Sequence, residues 1–535
     1  MFILVAYGGD MASTSSPGTS RTHLEIETKL DADPNFVLPD LSGRAGVVAI
    51  GTGVVHELEA IYLDSDDLRL IRHGTTLRRR TGGPDAGWHL KLPAAKHGRI
   101  EVQRELGRSE QEVPKELLGL VRVQLRDEPV GPVARITTRR TVHTLLGAGD
   151  VVLAEVADDE VVAESMGSQL TTSRWREIEV ELVDGDESVL EAAGTALIAA
   201  GARPSASASK LQRALGSRLS AIPSARTKSS HRKSANHRHR PTAGSVVQDY
   251  LARQVQVLIA EDPRVRISAD DAVHQMRVST RRMRTALASF RPLFTDRAGE
   301  PLRAELKWLG GLLGQARDAE VMRGRLTAEL AEQPDELVLG PVRRRIDLEL
   351  GQAYREAHER VVTELDGDRY LALVTALEEF VEQPPFSPRA TEAAPEELRR
   401  LVRRACRRVQ SAAAGLTTLP TGADRTAQDH HLHEVRIAAK RARYAAETAR
   451  PAIGRPAKRV ATAMEEVTET LGNHQDAVVE RQWLRDLAVR AFLAGENGFT
   501  FGRLHGLTDA RAQHDEDHFA EVWTSTRKVI AAWPG

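Results

Sequence analysis

The chain changes its hydrophobic rhythm once, before its midpoint. From His23 to about Leu215 apolar and polar positions alternate, as in Glu25-Ile-Glu-Thr-Lys29, Thr76-Leu-Arg-Arg-Arg80, Trp88-His-Leu-Lys91, Arg99-Ile-Glu-Val-Gln103, Val151-Val-Leu-Ala-Glu155 and Trp175-Arg-Glu-Ile-Glu-Val-Glu-Leu182. A period of two marks strands that present one face to a core. Turns such as Gly82-Gly83-Pro84 and Asp184-Gly185 separate these runs, and helical stretches interrupt them near Pro114–Leu120 and Ser188–Ala200. The pattern predicts an antiparallel β domain over 23–215. From about Ser245 onward the spacing becomes helical: Val246, Tyr250, Leu251, Val255 and Leu258 fall on one face, and similar segments follow to Val529. The fold class expected is α+β, with a β half followed by an all-α half over 245–530.

Between the halves, Arg218 to Arg240 is rich in Ser, His, Lys and Arg and has no acid, so 216–244 reads as a basic, flexible linker. Residues 1–22 read as a disordered leader: Met1–Tyr7 is apolar but lacks a basic flank, and a Ser/Thr/Gly-rich stretch follows.

The helical half contains an internal repeat. Val273-His-Gln-Met-Arg-Val-Ser-Thr-Arg-Arg-Met-Arg284 matches Leu432-His-Glu-Val-Arg-Ile-Ala-Ala-Lys-Arg-Ala-Arg443, and Leu313-Gly-Gln-Ala-Arg-Asp-Ala-Glu-Val321 matches Leu471-Gly-Asn-His-Gln-Asp-Ala-Val-Val479. His433 follows His274 by 159 positions and Asp476 follows Asp318 by 158, so a helical unit is duplicated, with copies over about 245–395 and 396–530.

Composition removes several classes. Cys406 is the only cysteine, which excludes a disulfide framework and a multi-thiolate zinc site. No run approaches the roughly 18 apolar residues of a membrane span. The expectation is a cytoplasmic protein with no membrane partner. Its 74 basic and 75 acidic residues nearly cancel, so local blocks carry the information.

In the β half, alternation places Glu25, Glu27 and Lys29 on one strand face and Glu177, Glu179 and Glu181 on another. Arg78 and Arg80 share a face, with Lys91 pointing similarly from the next strand. These faces are either solvated surface or the lumen of a barrel. In a barrel, Ile26, Leu77, Ile178 and Val180 would face outward beneath covering helices. A charged lumen is costly unless its charges are matched. Facing acids and bases suit a metal-bound polyphosphate: carboxylates take Mg2+ or Mn2+, and Arg and Lys take phosphate oxygens.

These residues resemble the CYTH, or triphosphate tunnel metalloenzyme, family. Glu25-Ile-Glu-Thr-Lys29 matches its ExExK signature, and the likeness continues through Tyr62-Leu-Asp-Ser65, Leu77-Arg-Arg-Arg80, Leu90-Lys91, Arg139-Arg140, Leu153-Ala-Glu155, Glu177-Ile-Glu-Val-Glu181 and Ser209-Lys210. The resemblance implies an eight-stranded antiparallel tunnel that hydrolyses or rearranges triphosphates. It implies Glu25, Glu27 and Lys29 at the catalytic centre. Glu25, Glu27, Glu101, Glu155, Glu177, Glu179 and Glu181 would hold metal, with Asp158 and Asp159 the weaker candidates because a turn is expected there. Arg78, Arg80, Lys91, Arg99, Arg139, Arg140 and Lys210 would clamp phosphate, although alternation lets only one of Arg139 and Arg140 face the lumen.

On a helix, His274, Arg277, Arg281 and Arg284 form one stripe, and His433, Arg436, Lys440 and Arg443 form the same stripe in the second copy, with Arg282 and Arg441 alongside. Stacked like charges repel, so a stripe present in both copies points to a polyanion. This half resembles the CHAD family, which implies a pair of helical bundles whose basic central cavity binds inorganic polyphosphate. Asp318 and Asp476 read as helix-start or arginine-pairing residues. The combined expectation is a Mg2+- or Mn2+-dependent inorganic triphosphatase tethered to a polyphosphate-binding module, with polyphosphate granules as a further address. The alternatives are a non-catalytic polyphosphate binder and an adenylate cyclase. No aromatic platform accompanies the stripes, so no specific nucleic-acid partner is expected. The sequence leaves oligomeric state open.

Overall fold

The computed structural model describes residues 21–94, 98–107, 111–167, 170–221, 241–417 and 425–534. It forms two compact units, divided within 222–240. Positions 1–20 of the expected leader and 222–240 of the expected linker lie outside the described residues. Arg21 and Thr22 already belong to the first strand, helix Lys210–Ala221 runs past the expected boundary at 215, and the first helix of the second unit starts at Ala243.

In the first unit one antiparallel sheet closes on itself. Its strands are β1 (Arg21–Glu25), β2 (Glu27–Ala32), β3 (Ala49–Ile50), β4 (Val54–Asp64), β5 (Thr76–Thr81), β6 (Gly87–Pro93), β7 (Arg99–Arg104), β8 (Gly131–Leu146), β9 (Val152–Ser165), β10 (Thr171–Leu182) and β11 (Arg203–Pro204). The order is β1-β7-β6-β5-β4-β8-β9-β10-β2-β11, with β3 beside β8. β1 and β2 are two halves of one chain segment broken at Ile26. The first half pairs with β7 and the second with β10, so this segment closes the barrel. With β1 and β2 counted as one stave, the tunnel has eight strands, and β3 and β11 are two-residue additions, which agrees with the expected tunnel. Closure also removes the open edges that a sheet otherwise exposes.

The outward residues are covered as expected. Ile178, Val180, Leu30 and Val156 pack with Val189, Leu190, Ala193 and Leu197 of helix Glu187–Ala199. Asp186 caps that helix, accepting a 2.9 Å hydrogen bond from the Ser188 backbone NH. A second helix, Lys210–Ala221, packs Leu211 and Leu215 onto Tyr62, Ile136 and Val161. Tyr62 and Ile136 are on the lumenal faces of their strands, so this helix stoppers one end of the lumen.

The second unit is helical. Its first copy is Ala243–Arg266, Ala272–Ser289, Glu300–Ala331 and Val342–Leu365, followed by Asp368–Glu382; the second is Ala394–Thr417, Arg425–Ile453, Arg455–Leu493 and Phe499–Ala531. Val246, Tyr250, Leu251, Val255 and Leu258 are all buried, as the spacing predicts. The copies share a core in which Met322, Leu326, Ile346 and Leu350 of the first pack with Leu484, Leu487, Phe501 and Leu504 of the second. Among the described residues no helix is long and apolar enough to cross a membrane.

Candidate functional site

Pleating puts an unusual set of side chains inside the tunnel. Glu25, Arg78, Arg80, His89, Glu101, Asp159, Glu177, Glu179 and Lys210 are all buried. Cross-strand register explains the grouping, because residues directly opposite in antiparallel strands share a face. Glu177 of β10 stands opposite Asp159 of β9, and Glu179 stands opposite Lys29 of β2. Glu181 stands between Glu27 and Glu155, making a row of three carboxylates across β2, β10 and β9.

The charges in the middle of the lumen are matched. The Lys210 ammonium lies 2.9 Å from Asp159, 2.6 Å from Glu177 and 2.7 Å from Glu179. Arg140 bonds Asp159 and Glu179, each at 2.6 Å, and Lys29 also bonds Glu179. Burial works against both partners, but Lys210, Lys29 and Arg140 hold the Glu179 carboxyl well below its ordinary range. On the opposite wall, Lys91 reaches Glu25 at 2.7 Å, and Glu101 accepts from His89 at 2.8 Å with Arg78 3.7 Å away. Burial pushes the Glu25 carboxyl up to about 7, with Lys91 opposing the rise. Glu101 is held low despite its burial, by His89, Lys91 and Arg78. Arg80 pairs with Asp85, and burial beside Arg78 brings its guanidinium down to about 10.

The carboxylate row is different. Glu27 touches Lys29 at 3.2 Å, while burial, and then Glu27, Glu179 and Glu101, raise the Glu181 carboxyl against the pull of Lys91. Like charges directly opposite one another are destabilising. Two groups of lumenal donors bring their ligand atoms within 4.8 Å of one another and fit a hard cation by chemistry: Asp159, Glu177 and Glu179, and His23, Glu25 and Glu101. In the first, the Lys210 ammonium already occupies the place a cation would take.

Several expectations are corrected by these positions. Arg139 is on the outer face, half-exposed, beside Glu57 and Glu160; Arg140 is the lumenal member of the pair. Glu155 and Arg99 keep the expected face: Glu155 is lumenal but exposed, and Arg99 stands opposite Glu25 and also donates to the Ala208 carbonyl at 3.3 Å. No turn occurs at Asp158–Asp159. Both lie in the middle of β9, with Asp158 bonded to Arg176 outside and Asp159 fully buried inside. Asp159, His89 and His23 are lumenal residues that sequence reasoning passed over or ranked low. Asp64 in the Tyr62–Ser65 motif is structural: its carboxylate accepts from the backbone NH groups of Ser65, Leu70 and Ile71.

The helical stripes converge on one cationic surface. Arg281, Arg282 and Arg443 all approach the Tyr444 ring, at 5.6, 5.7 and 5.9 Å. The Leu-Gly motif has a matching role in both copies: the Arg277 guanidinium lies against Gly314, and the Arg436 guanidinium against Gly472. Asp318 and Asp476 sit inside helices, which corrects the helix-start reading; Asp318 bonds Arg277 at 2.9 Å, and Asp476 lies 3.7 Å from Arg325. The copies then diverge. Arg443 bonds Glu447 at 2.9 Å and also meets Glu465, and Arg282 is 3.5 Å from Glu447. Arg281, Arg284, Arg436, Lys440 and Arg441 make no ion pair among the described residues, and the buried Nε atoms of Arg281 and Arg436 have no hydrogen-bond partner. Burial, then Arg436, Arg281 and Arg277, brings Lys440 down to about 7. His274 is lowered by burial and by Arg317, and the His433 Nδ1 lies 2.7 Å from the Gln475 Oε1.

The comparisons with known proteins agree with this division. A CYTH domain matches residues 23–215 and a CHAD domain matches 249–485. Uncharacterised proteins from two strains of Mycobacterium tuberculosis are 38% identical over 497 residues, spanning 90% of this chain and 92% of theirs. Among solved structures, PptA from Streptomyces chartreusis aligns with a TM-score of 0.45 and 23% identity, over 53% of this chain and 99% of PptA. The CHAD domain from the plant Ricinus communis aligns with a TM-score of 0.43 and 22% identity, over 55% of this chain and 93% of that domain. The closed, acid-and-base-lined sheet followed by a duplicated helical unit therefore belongs to the family of proteins in which a CYTH domain, the triphosphate tunnel metalloenzyme fold, precedes a CHAD domain.

Proposed function

We propose that the chain is a divalent-metal-dependent hydrolase of inorganic triphosphate whose helical unit binds polyphosphate. The observation that carries the reading is the division of the lumen. The Glu27–Glu181–Glu155 row gathers carboxylates with Lys29 the one cation in contact among the described residues, while Arg78, Arg80 and Lys91 lie on other staves of the same lumen. Acids without enough bases suit Mg2+ or Mn2+, and guanidiniums suit phosphate oxygens.

Glu27 and Glu181, with Glu25 and Glu179 beside them, would hold the metal, which supplies charge neutralisation of the phosphate and a lowered pKa for water. The chain's own residues do the rest. Arg78 and Arg80 bind the equatorial phosphate oxygens and stabilise their charge as water attacks the terminal phosphorus in line and pyrophosphate leaves. Lys29, Arg140 and Lys210 exchange their carboxylate partners for phosphate oxygens when a polyanion enters. The helix Lys210–Ala221 closes one end and limits water. No covalent nucleophile is called for: Cys406 is buried in the helical unit with its thiol pushed up to about 12 by burial.

The deciding experiment is hydrolysis of tripolyphosphate, thiamine triphosphate, ATP and long-chain polyphosphate by the purified protein with Mg2+ or Mn2+. Metal-dependent release of phosphate from tripolyphosphate is expected. Binding without turnover of any of the four would make the tunnel a ligand pocket, and formation of cyclic AMP with release of pyrophosphate from ATP would make it a cyclase.

A further inference from the structure

The second helical copy opens with a helix unlike its counterpart. Ala394–Thr417 carries Arg399, Arg400, Arg403, Arg404, Arg407 and Arg408, three doublets spaced four apart. The first helix of the other copy, Ala243–Arg266, has Arg253 and two arginines that are tied to Glu261 and Asp262. Duplication does not account for this series, and like charges four apart repel. Some of the six are used structurally: Arg400 bonds Glu397 and Arg403 donates to the Pro534 carbonyl, both at 2.6 Å. Arg404, Arg407 and Arg408 are exposed and make no ion pair among the described residues.

Arg404 and Arg408 form one wall of a groove of about 660 Å3, whose other cations are Arg291, Arg297, Arg303 and Arg441. Its acids are Asp296 and Glu300, and Glu300 is already bonded to Arg303 at 2.6 Å. Asp296 and Arg297, both in the lining, hold left-handed backbone, with φ of 41° and 59°. The groove is continuous with the stripe surface, because Ser289 ends the helix of the first stripe and Arg441 belongs to the helix of the second. The charges feel each other along this path. Beyond burial, Arg284 is lowered by Arg441, Arg281 and Arg303, and Arg408 by Arg404 and Arg441.

We propose that this arginine groove is a second binding site for the polyphosphate chain, entered from the stripe surface by way of Arg284 and Arg441. This rests on the reading of the helical unit given above and adds chain-length selectivity to it. A phosphoanhydride chain is narrow, flexible and charged at each phosphate, so it can follow a bend lined by arginines. A nucleic acid would gain from base stacking, and the one aromatic residue in the lining, Phe294, is buried. Short chains occupy the stripes alone; chains long enough to reach Arg404 and Arg408 gain the groove as well.

The test uses the full chain and compares the double variant, Arg404→Ser with Arg408→Ser, against the parent. Both positions are exposed, so the fold should hold, as circular dichroism would verify. Long-chain polyphosphate should bind about tenfold more weakly, and the slope of log affinity against log salt should flatten by about 1.4 for two lost contacts. Tripolyphosphate affinity, compared in parent and variant chains that both carry Arg78→Ala to weaken the tunnel site, should stay the same. Unchanged long-chain affinity overturns the proposal, and so does an equal loss for both lengths, because the variants would then be acting on the stripes. A loss confined to single-stranded DNA makes the groove a nucleic-acid site and overturns it too. A separate variant, Arg281→Ser with Lys440→Met, tests the stripes themselves: if it leaves long-chain binding intact while the groove variant weakens it, the stripe reading fails and the groove stands.

Discussion

Two regions of this molecule gather charge, and they handle it in opposite ways. In the middle of the tunnel, cations and carboxylates are interlocked: Lys210 touches three acids, and Glu179 meets Lys29, Arg140 and Lys210. On the helical stripes, Arg281, Arg284, Arg436 and Lys440 crowd together with no acid bonded to them among the described residues. An interlocked site is stable when empty, and a ligand enters by exchanging partners. A crowded site is strained when empty, and an anion relieves it. The first arrangement suits a pocket that must admit metal and phosphate together. The second suits a surface that only holds a polyanion.

The sharpest break of this comparison is a pair of substitutions expected to move stability in opposite directions. Glu179→Gln strips a buried acid from three cations and should destabilise the first unit by about 3–5 kcal/mol. Lys440→Met removes a half-buried, repelled cation and should stabilise the second unit by about 1–3 kcal/mol, the scale of relieving an unsatisfied buried group. Urea unfolding followed separately in the two units would show it. Losses of equal sign would mean that the stripe charges are as well matched as those of the tunnel.

Next in size is the effect on chemistry. Glu27→Gln keeps shape and removes one acid from the carboxylate row, so triphosphate turnover should fall by roughly a hundredfold. Because Glu27 has Lys29 as its contact and is not part of the interlocked cluster, stability should change little. Normal turnover with Mg2+ would remove the row from the mechanism.

The two regions were also unequally legible in sequence. Strict two-residue alternation decides which side chains share a strand face, so Glu25 with Glu27, Arg78 with Arg80, and Glu177 with Glu179 could be grouped from spacing alone. Spacing could not choose between Arg139 and Arg140, because the choice depends on register with β9, where Arg140 lies opposite Asp159. Asp159 itself was obscured by its neighbour, since two adjacent aspartates resemble a turn and here face opposite sides of one strand. The helical stripes were readable because the duplication repeats them. The arginine doublets of Ala394–Thr417 were not, because one copy carries them and their spacing matches an ordinary solvated face.

The smallest expected effect, a fraction of a proton, distinguishes the crowded surface from a merely basic one. Lys440 is brought down to about 7 by burial and by Arg436, Arg281 and Arg277, with Asp476 opposing, against 10.5 for an ordinary lysine. Between those two values the unfolded chain holds a proton that the folded unit has released. Stability therefore rises with pH across that window, and below about pH 7 the full cost of the desolvated charge is present. A bound polyanion reverses the balance: its oxygens favour the ammonium and raise the pKa. Binding of long-chain polyphosphate near pH 8 should thus take up a proton, and affinity should weaken as pH rises above about 7. Calorimetry in buffers of different ionisation heat measures the uptake directly, and Lys440→Met should abolish it while retaining most of the binding. Uptake that persists in that variant would assign the titration to another group, and no uptake in the parent would mean that Lys440 is already charged and the stripe less crowded than its geometry implies.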